Sequence, residues 1–332
     1  MLRYVIRRIL ISIPIVILAT FLCFALVTAM GDPLGDWKTQ KPRLPNEIAS
    51  EEAIVGYDQP FFQRYGHWAV NFVEGNWNRN VVPGDNNQPV KPQIMSALGV
   101  TAKLVLFAEL IAIAIGMLTG VVSAVRQYSM FDYSITGVAF LLFSMPLFCI
   151  AIILKSVAPP LNNWLQSIGF GRWITTAGPP TSGYTGGFWH VVYQFTGVYI
   201  LPVICLFAIS FALYSRFQRG SMLDVLNSDY VRTAQAKGLS QTRVIFRHAF
   251  RNALIPVVTV ASLNIGAVFS GAIITERVFN WQGMGTLIVN AVTQIEPWMV
   301  LGWLVVTAIF IILFVLVSDI LYAYLDPRIR LD

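Results

Sequence analysis

Two carboxylic acids, Glu109 and Asp319, lie inside long apolar runs of this sequence. An ionisable side chain at such a position is costly and is therefore often functional. Glu109 lies about 12 Å into its predicted helix, at 1.5 Å per residue. It either faces an aqueous cavity and meets an amino group there, or forms a buried pair with a neighbouring helix, which we favour. For Asp319 we expect a structural anchor with Arg328 or with a neighbouring loop.

Residues 229–250, DYVRTAQAKGLSQTRVIFRHAF, form a polar and basic stretch between two apolar runs. Asn227, Ser228 and Asp229 are good N-cap residues, and no helix breaker follows until Gly238, where a left-handed residue would end a short helix. A second helix is predicted after Ser240. It carries Arg243, Arg247 and Arg251 at spacings of four, which places the three guanidinium groups on one stripe.

The chain lacks the residues for several other kinds of chemistry. It contains no GxxxxGK[ST] pattern, so we predict that it has no phosphate-binding P-loop and is not itself an enzyme that hydrolyses ATP. The three cysteines are scattered through apolar runs without spacing for a disulfide framework or a metal site, so we predict no metal site and no bound cofactor.

Composition identifies lipid as the solvent of this chain. Hydrophobic residues make up 56% and charged residues only 12% of the 332 positions, about half the charged share of a soluble domain. A membrane-spanning helix needs about 20 apolar residues. Six runs qualify, and we predict an all-α polytopic membrane protein with spans near 9–30, 101–125, 134–155, 197–215, 255–275 and 298–323.

Basic residues near the ends of the spans predict the orientation. Arg3, Arg7 and Arg8 precede the first span, which is too long for the apolar region of a signal peptide. With six spans, both termini are then cytoplasmic, and the basic loop lies on the same side. The net charge of +6 is explained by this topology without nucleic acid.

Three regions follow from these spans: the N-terminal end with the first span (1–30), an extracytoplasmic segment (31–98), and a core (99–332) that contains the cytoplasmic loop 216–254. Within the second region a surface helix is predicted near 60–74. Its aromatic side chains lie at helical spacing, which is typical of packing or, less often, of a docking face; they are Phe61, Tyr65, Trp68 and Phe72.

The basic loop resembles the coupling loop of ABC-importer permeases, whose pattern is E-A-A, three residues, then G. In the dipeptide and oligopeptide branch the loop commonly reads DYVRTARAKGL followed by RNALLPV, and this chain has DYVRTAQAKGL and RNALIPV. The E-A-A positions hold Arg232, Thr233 and Ala234, so the acid is missing, as is usual in this branch.

Further motifs extend the resemblance over nearly the whole chain. They are YVIRRILISIPIVI with Gly31-Asp32-Pro33, DQPFFQRYGHW, FSMPLFCIAIIL, ILPVICL, ERVFNWQGMG (with Gln282 in place of the usual proline) and SDILYAYLDPRIR. The short N-terminus and the long first outside segment resemble the B-type permease of the pair.

This resemblance implies the type I ABC importer permease fold and a role in peptide import through the cell membrane. It also implies several partners: a homologous second permease, two ATP-binding subunits that hold ATP and Mg²⁺, an extracytoplasmic substrate-binding protein, the peptide substrate and membrane lipid. The residues it assigns to coupling with the ATPase are Asp229, Tyr230, Arg232, Thr233, Ala234, Lys237 and Gly238. Asp229 would cap the coupling helix, Tyr230 would pack in the ATPase groove, and Ala234 would allow close approach.

A second set of residues is a candidate for the translocation pathway or its external gate. The set is Glu109, Pro146, Glu276, Trp281, Gly283 and Gly285, with the two glycines expected to allow tight turns. A plain structural turn is an equally good interpretation of the ERVFNWQGMG segment.

Two other functions remain open at the level of sequence. The same family includes permeases for nickel and other small solutes. A proton-coupled secondary transporter that uses Glu109 and Asp319 as a relay belongs to a different class, but it would leave the helix, glycine and basic loop unexplained.

Overall fold

The computed structural model describes residues 2–30, 52, 56, 59–81, 88–179 and 183–325, and this part of the chain is built from helices. The long helices are α1 (Leu2–Met30), α3 (Val90–Val125), α5 (Leu147–Ser167), α6 (Phe188–Leu226), α9 (Phe250–Gly271) and α12 (Pro297–Leu325). The shorter helices are α2 (Phe61–Glu74), α4 (Met130–Ser144), α7 (Asp229–Ala236), α8 (Gln241–Arg243), α10 (Ile273–Val278) and α11 (Met284–Thr293), and a π-helix, Val244–Ala249, joins α8 to α9. The all-α prediction is confirmed.

Six of the described helical segments are long and apolar enough to cross a bilayer. They are Ile9–Ala29, Val90–Val125, Leu147–Ser167, Phe188–Leu226, Gln241–Phe269 and Pro297–Leu321. The number of predicted spans is therefore confirmed. Several helices extend beyond the apolar runs, because a helix continues through polar residues once it has left the hydrocarbon.

The third predicted span, 134–155, is wrong as one continuous helix. The chain leaves helical geometry at Met145 (φ −82°, ψ 130°), because a proline at the next position disfavours the α conformation of the residue before it. Pro146 is the N-cap of α5, which then runs past the predicted end of the span. Hydropathy reports apolar length but is insensitive to this break.

The chain divides into two compact units. One comprises Leu2–Thr101 and Gln282–Ile312; the other comprises Ala102–Trp281 and the stretch from Leu313 onward. The division therefore does not follow chain order, since α3 and α12 each contribute to both units.

Aromatic packing holds the first unit together. Trp68 of α2 is buried, and the ring of Phe61 lies edge-on to Phe21 and Phe24 of α1, with centroid separations of 5.6 and 5.4 Å. The hydroxyl of Tyr65 lies 2.9 Å from the Thr20 hydroxyl and also donates to the Ile17 carbonyl. The aromatic stripe of α2 is thus used for packing inside this unit.

In the second unit, two glycines allow close contact between α3 and α6. A Cβ atom on Gly116 would lie 2.9 Å from the Cβ of Tyr214, and one on Gly120 would lie 2.7 Å from the carbonyl oxygen of Ser215. Small residues four positions apart are a common way for membrane helices to bring their backbones together.

Candidate coupling site and polar clusters

Helix α7, Asp229–Ala236, is the centre of the predicted coupling site. Its N-cap is Ser228, and no side-chain bond caps the helix, because the Ser228 hydroxyl donates to the Val225 carbonyl instead. The expected cap by Asp229 is therefore wrong. Asp229 is the first helical residue, where its negative charge interacts favourably with the helix N-terminus.

One face of α7 packs against its own chain. Val231 is fully buried and Ala234 is 6% exposed. Both lie in an apolar cluster drawn from α3, α6, the π-helix and α9, whose other members are Val121, Ala124, Met222, Val244, Ala249 and Ala253. The small size of Ala234 thus serves packing within this chain, which is a different use from the expected close approach to a partner.

The other face of α7 is exposed. Tyr230 is 44% exposed, and its hydroxyl accepts a hydrogen bond of 2.8 Å from the Asn252 side chain. Arg232, Thr233 and Lys237 are exposed beside it. The amphipathic pattern leaves these side chains available to a partner surface, while Val231 and Ala234 fix the helix on the chain.

Gly238 ends the coupling helix in the left-handed conformation predicted from its sequence, with φ +75°. A Cβ at this position would meet no atom within 4 Å, so only the backbone conformation favours glycine here. The next helix begins at Gln241 and passes through the π-helix into α9. Arg243, Arg247 and Arg251 are all exposed along it.

Glu109 is the centre of a buried polar cluster that joins three membrane-length helices. It is 1% exposed. Its carboxylate accepts hydrogen bonds from Ser210 (2.6 Å) and Tyr214 (2.5 Å) of α6 and from Asn264 (3.3 Å) of α9. Asn264 also bonds to the hydroxyls of Ser210 and Tyr214. The favoured interpretation named a buried pair with one helix; the structure gives a network of neutral donors from two.

The remaining pathway candidates of the second unit have different surroundings. Pro146 is exposed at the start of α5. Glu276 and Trp281 are fully buried, and the Trp281 ring lies edge-on to Tyr199 at 4.7 Å. The positive φ of this segment falls on Asn280 (54°). Burial of Glu276 and Trp281 indicates packing rather than direct contact with solvent.

Gly283 and Gly285 belong to the first unit, where Gly283 is the N-cap of α11 with φ −102°. Any residue type adopts that conformation, and Gly285 lies inside the helix. The expectation that these glycines allow tight turns is therefore wrong. Asp319 is half-buried on α12, and its expected partner Arg328 lies outside the described residues.

A cluster around Asp132 was not anticipated from the sequence. Asp132 is buried at the start of α4 and forms a two-point ion pair with Arg219 of α6, with N–O distances of 2.7 and 2.8 Å. It also accepts bonds from the Ser123 hydroxyl and the Tyr128 amide. These interactions, above all the one with the Arg219 guanidinium, lower the pKa of the Asp132 carboxyl.

One local signal for this cluster is present in the sequence. Ser129 and Asp132 have the spacing of an N-terminal capping motif, and the Ser129 hydroxyl accepts the Asp132 amide at 3.2 Å. The pairing with Arg219 has no such signal, because the two residues are 87 positions apart.

Lys155 is a second residue that the sequence did not single out. It was placed at the end of a predicted span, whereas it lies within α5. Its ammonium donates to the Val278 carbonyl of α10 at 2.7 Å. The lysine thus links α5 to the last turn of the helix that carries Glu276.

Comparison with protein families gives two matches that together cover most of the chain. Residues 112–331 match the model of the binding-protein-dependent transport system inner membrane component, and residues 1–103 match the N-terminal model of the same membrane components.

Individual relatives align over their full length. The dipeptide transport system permease protein DppB of Alkalihalophilus pseudofirmus is 36% identical, over 99% of this chain and 100% of the relative. The oligopeptide transport system permease protein AppB of Bacillus subtilis is 35% identical, over 99% and 100%. The dipeptide permease DppB of Escherichia coli K12 is 35% identical, over 99% of both.

Proposed function

Because the chain belongs to the family of inner membrane components of binding-protein-dependent transport systems, we propose that it is the B-type permease subunit of an ATP-driven importer of dipeptides or oligopeptides. The full-length similarity to permeases named for dipeptide and oligopeptide transport supports this substrate class. In this proposal the chain forms the translocation pathway together with a homologous second permease.

The observation that carries the proposal is the two-sided character of α7. Val231 and Ala234 attach the helix to the core of its unit, whereas Tyr230, Arg232 and Thr233 are exposed. A helix held on one side and open on the other is suited to pass a displacement from a partner to the spans on which it rests.

In the proposed mechanism, the exposed face of α7 sits in a groove of one ATP-binding subunit. ATP and Mg²⁺ bind to the two ATP-binding subunits and bring them together. The groove then moves, and α7 transmits the shift to α6 and α9, the helices on either side of the loop. The spans rock between inward-open and outward-open arrangements, as rigid elements do in hinge and shear transitions.

Orientation and delivery complete the proposal. Both termini and the coupling loop are cytoplasmic, as the distribution of Lys and Arg predicts. A substrate-binding protein delivers the peptide on the opposite side. The exposed arginines of α8 and α9 pair with acidic groups of the ATP-binding subunit or with lipid phosphates.

Reconstitution tests this proposal against its two alternatives. We expect dialanine uptake into proteoliposomes only when the chain is reconstituted with its co-purified permease and ATP-binding subunits, with the binding protein outside and ATP inside. ATP-driven uptake of nickel ions without dialanine uptake would favour a small-solute permease. Uphill dialanine uptake by the isolated chain on a proton gradient would show a secondary transporter and contradict the proposal.

A further inference from the structure

A polar cavity of about 460 Å³ lies in the first unit, beside the N-terminal ends of α3 and α12. It is large enough for a small ligand, since binding pockets typically measure about 300 to 1,000 Å³. Its lining residues come from the first turns of α3, the last turns of α11 and the segment before α12. All of them belong to one compact unit.

Carboxamide side chains dominate the polar part of the lining. They are Asn80, Gln93, Gln282, Asn290 and Gln294. Each carboxamide offers a carbonyl acceptor and an N–H donor, which is the same pair of groups that a peptide bond presents. Asn80 and Gln93 already bond to one another at 3.2 Å, whereas Gln282, Asn290 and Gln294 are exposed around the opening.

One carboxylate gives the cavity its charge. Glu296 lines the cavity and is 3% exposed, and both of its oxygens accept the Val81 amide, at 2.9 and 3.0 Å. None of the described lining residues is a lysine or an arginine. The cavity is therefore suited to a cationic group, and the preceding helix end adds the partial negative charge of its carbonyls.

We propose that this cavity binds the peptide substrate, with Glu296 receiving the N-terminal ammonium and the carboxamides of Asn290 and Gln294 bonding to the peptide backbone. The peptide as ligand rests on the proposed function; the site is an addition to it. Recognition through the terminal amine and the backbone leaves side chains unread, which suits a permease that passes peptides of varied sequence.

Photolabelling of the reconstituted complex tests the site. The probe is photo-leucyl-alanine, a dipeptide with a free amino terminus and a diazirine side chain, and the labelled residues are identified by mass spectrometry. We expect label on the cavity lining, competed by excess dialanine and at least tenfold less by N-acetyl-dialanine. Glu296→Gln should abolish this discrimination, because the amide keeps the bond to Val81 but loses the negative charge.

Two further variants protect the test against misfolding at the buried glutamate. Asn290→Leu and Gln294→Leu change exposed side chains and should each reduce cavity labelling at least fivefold, whereas Gln63→Leu, an exposed glutamine of α2 away from the cavity, should leave it unchanged. Label confined to other helices, or equal competition by the acetylated dipeptide, would overturn the site. If the wild-type complex takes up dialanine while the variants label normally, only this site fails; if it takes up no peptide, the proposed function fails.

Discussion

At the scale of single residues, Glu109 is held by hydroxyl and carboxamide groups. In the part of the chain that the structure describes, no basic side chain lies within ion-pair distance of it, and its partners are Ser210, Tyr214 and Asn264. This arrangement indicates an interhelical tie between α3, α6 and α9. A ligand-binding carboxylate would instead be open to the pathway.

The predicted test of this tie compares two substitutions. Glu109→Leu leaves three buried donors without an acceptor and should reduce the unfolding free energy by about 2 kcal/mol, since interhelical hydrogen bonds in membranes average about 0.6 and reach about 1.7 kcal/mol. Glu109→Gln keeps an acceptor and should cost less than half as much. Thermal unfolding of the purified protein in detergent measures both; an equal loss in the two variants would show that the negative charge itself is required.

Gly238 supports a second prediction at this scale. A side chain there meets open space, so the cost of substitution comes only from the left-handed backbone, about 1–2 kcal/mol for most residues. Asparagine visits that conformation more readily. Gly238→Asn should therefore unfold close to the wild-type temperature and Gly238→Val at a lower one. Equal destabilisation by both would indicate a contact that the structure does not contain.

Local sequence signals identified some residues of the candidate site and missed others for physical reasons. The short helix, the glycine after it and the basic stripe follow from local chemistry, and the structure has all three. The partners of Glu109 could not be predicted, because Ser210, Tyr214 and Asn264 are ordinary polar residues until packing places them beside a carboxylate more than 100 positions away.

At the scale of helices, close contact between α3 and α6 depends on Gly116 and Gly120. Gly120→Ala would place a methyl group 2.7 Å from both the Ser215 carbonyl oxygen and the Gln218 Cβ, which forces the helices apart at a cost of about 1–3 kcal/mol. Gly99→Ala is the matched control on the same helix, because a Cβ there meets nothing within 4 Å. In thermal unfolding we expect the first variant to be destabilised and the second to match the wild type; an undiminished Gly120→Ala would show that this contact does not hold the helices.

The ion pair between Asp132 and Arg219 ties α4 to α6 and predicts a dependence on pH. Because the pair lowers the pKa of Asp132, its contribution is fully present above the ordinary value near 4 and is lost as the pH falls through the lowered value. Asp132→Asn should reduce the unfolding free energy by about 2 kcal/mol at pH 7. The difference from the wild type should shrink only below about pH 4.

Denaturant unfolding of both proteins between pH 3 and pH 8 measures this difference. A gap between wild type and Asp132→Asn that closes already between pH 8 and pH 5 would contradict the assignment of the lowered pKa to this pair. Arg219→Gln should show the same gap at pH 7, since it removes the other half of the pair.

The helices themselves were predictable to different degrees. Bilayer thickness imposes a minimum apolar length, so the number of membrane-length helices followed from hydropathy. The break before α5 was missed, because apolar residues lie on both sides of Pro146 and hydropathy cannot register a change in backbone direction. The same error put Lys155 at the end of a span, although it lies inside α5 and bonds to α10.

At the scale of the whole molecule, α7 is the link between this chain and the rest of an importer. Its buried residues fix it to one compact unit, and its exposed residues are those that the proposed ATP-binding subunit would contact. Ala234 is unsuitable for testing that contact, since its burial means that a large side chain would disturb the fold of this chain first. Thr233 is the better position, because it is exposed on the same helix.

The most direct measurement is ATP-driven dialanine uptake by the reconstituted complex with Thr233→Arg, compared with Gln127→Arg. The control adds the same charge at an exposed residue on the turn between α3 and α4. We predict that uptake falls at least tenfold for Thr233→Arg, with unchanged thermal unfolding of the subunit, and stays at the wild-type rate for Gln127→Arg. Wild-type uptake by a folded Thr233→Arg complex would contradict the claim that α7 carries the work of ATP hydrolysis into the membrane.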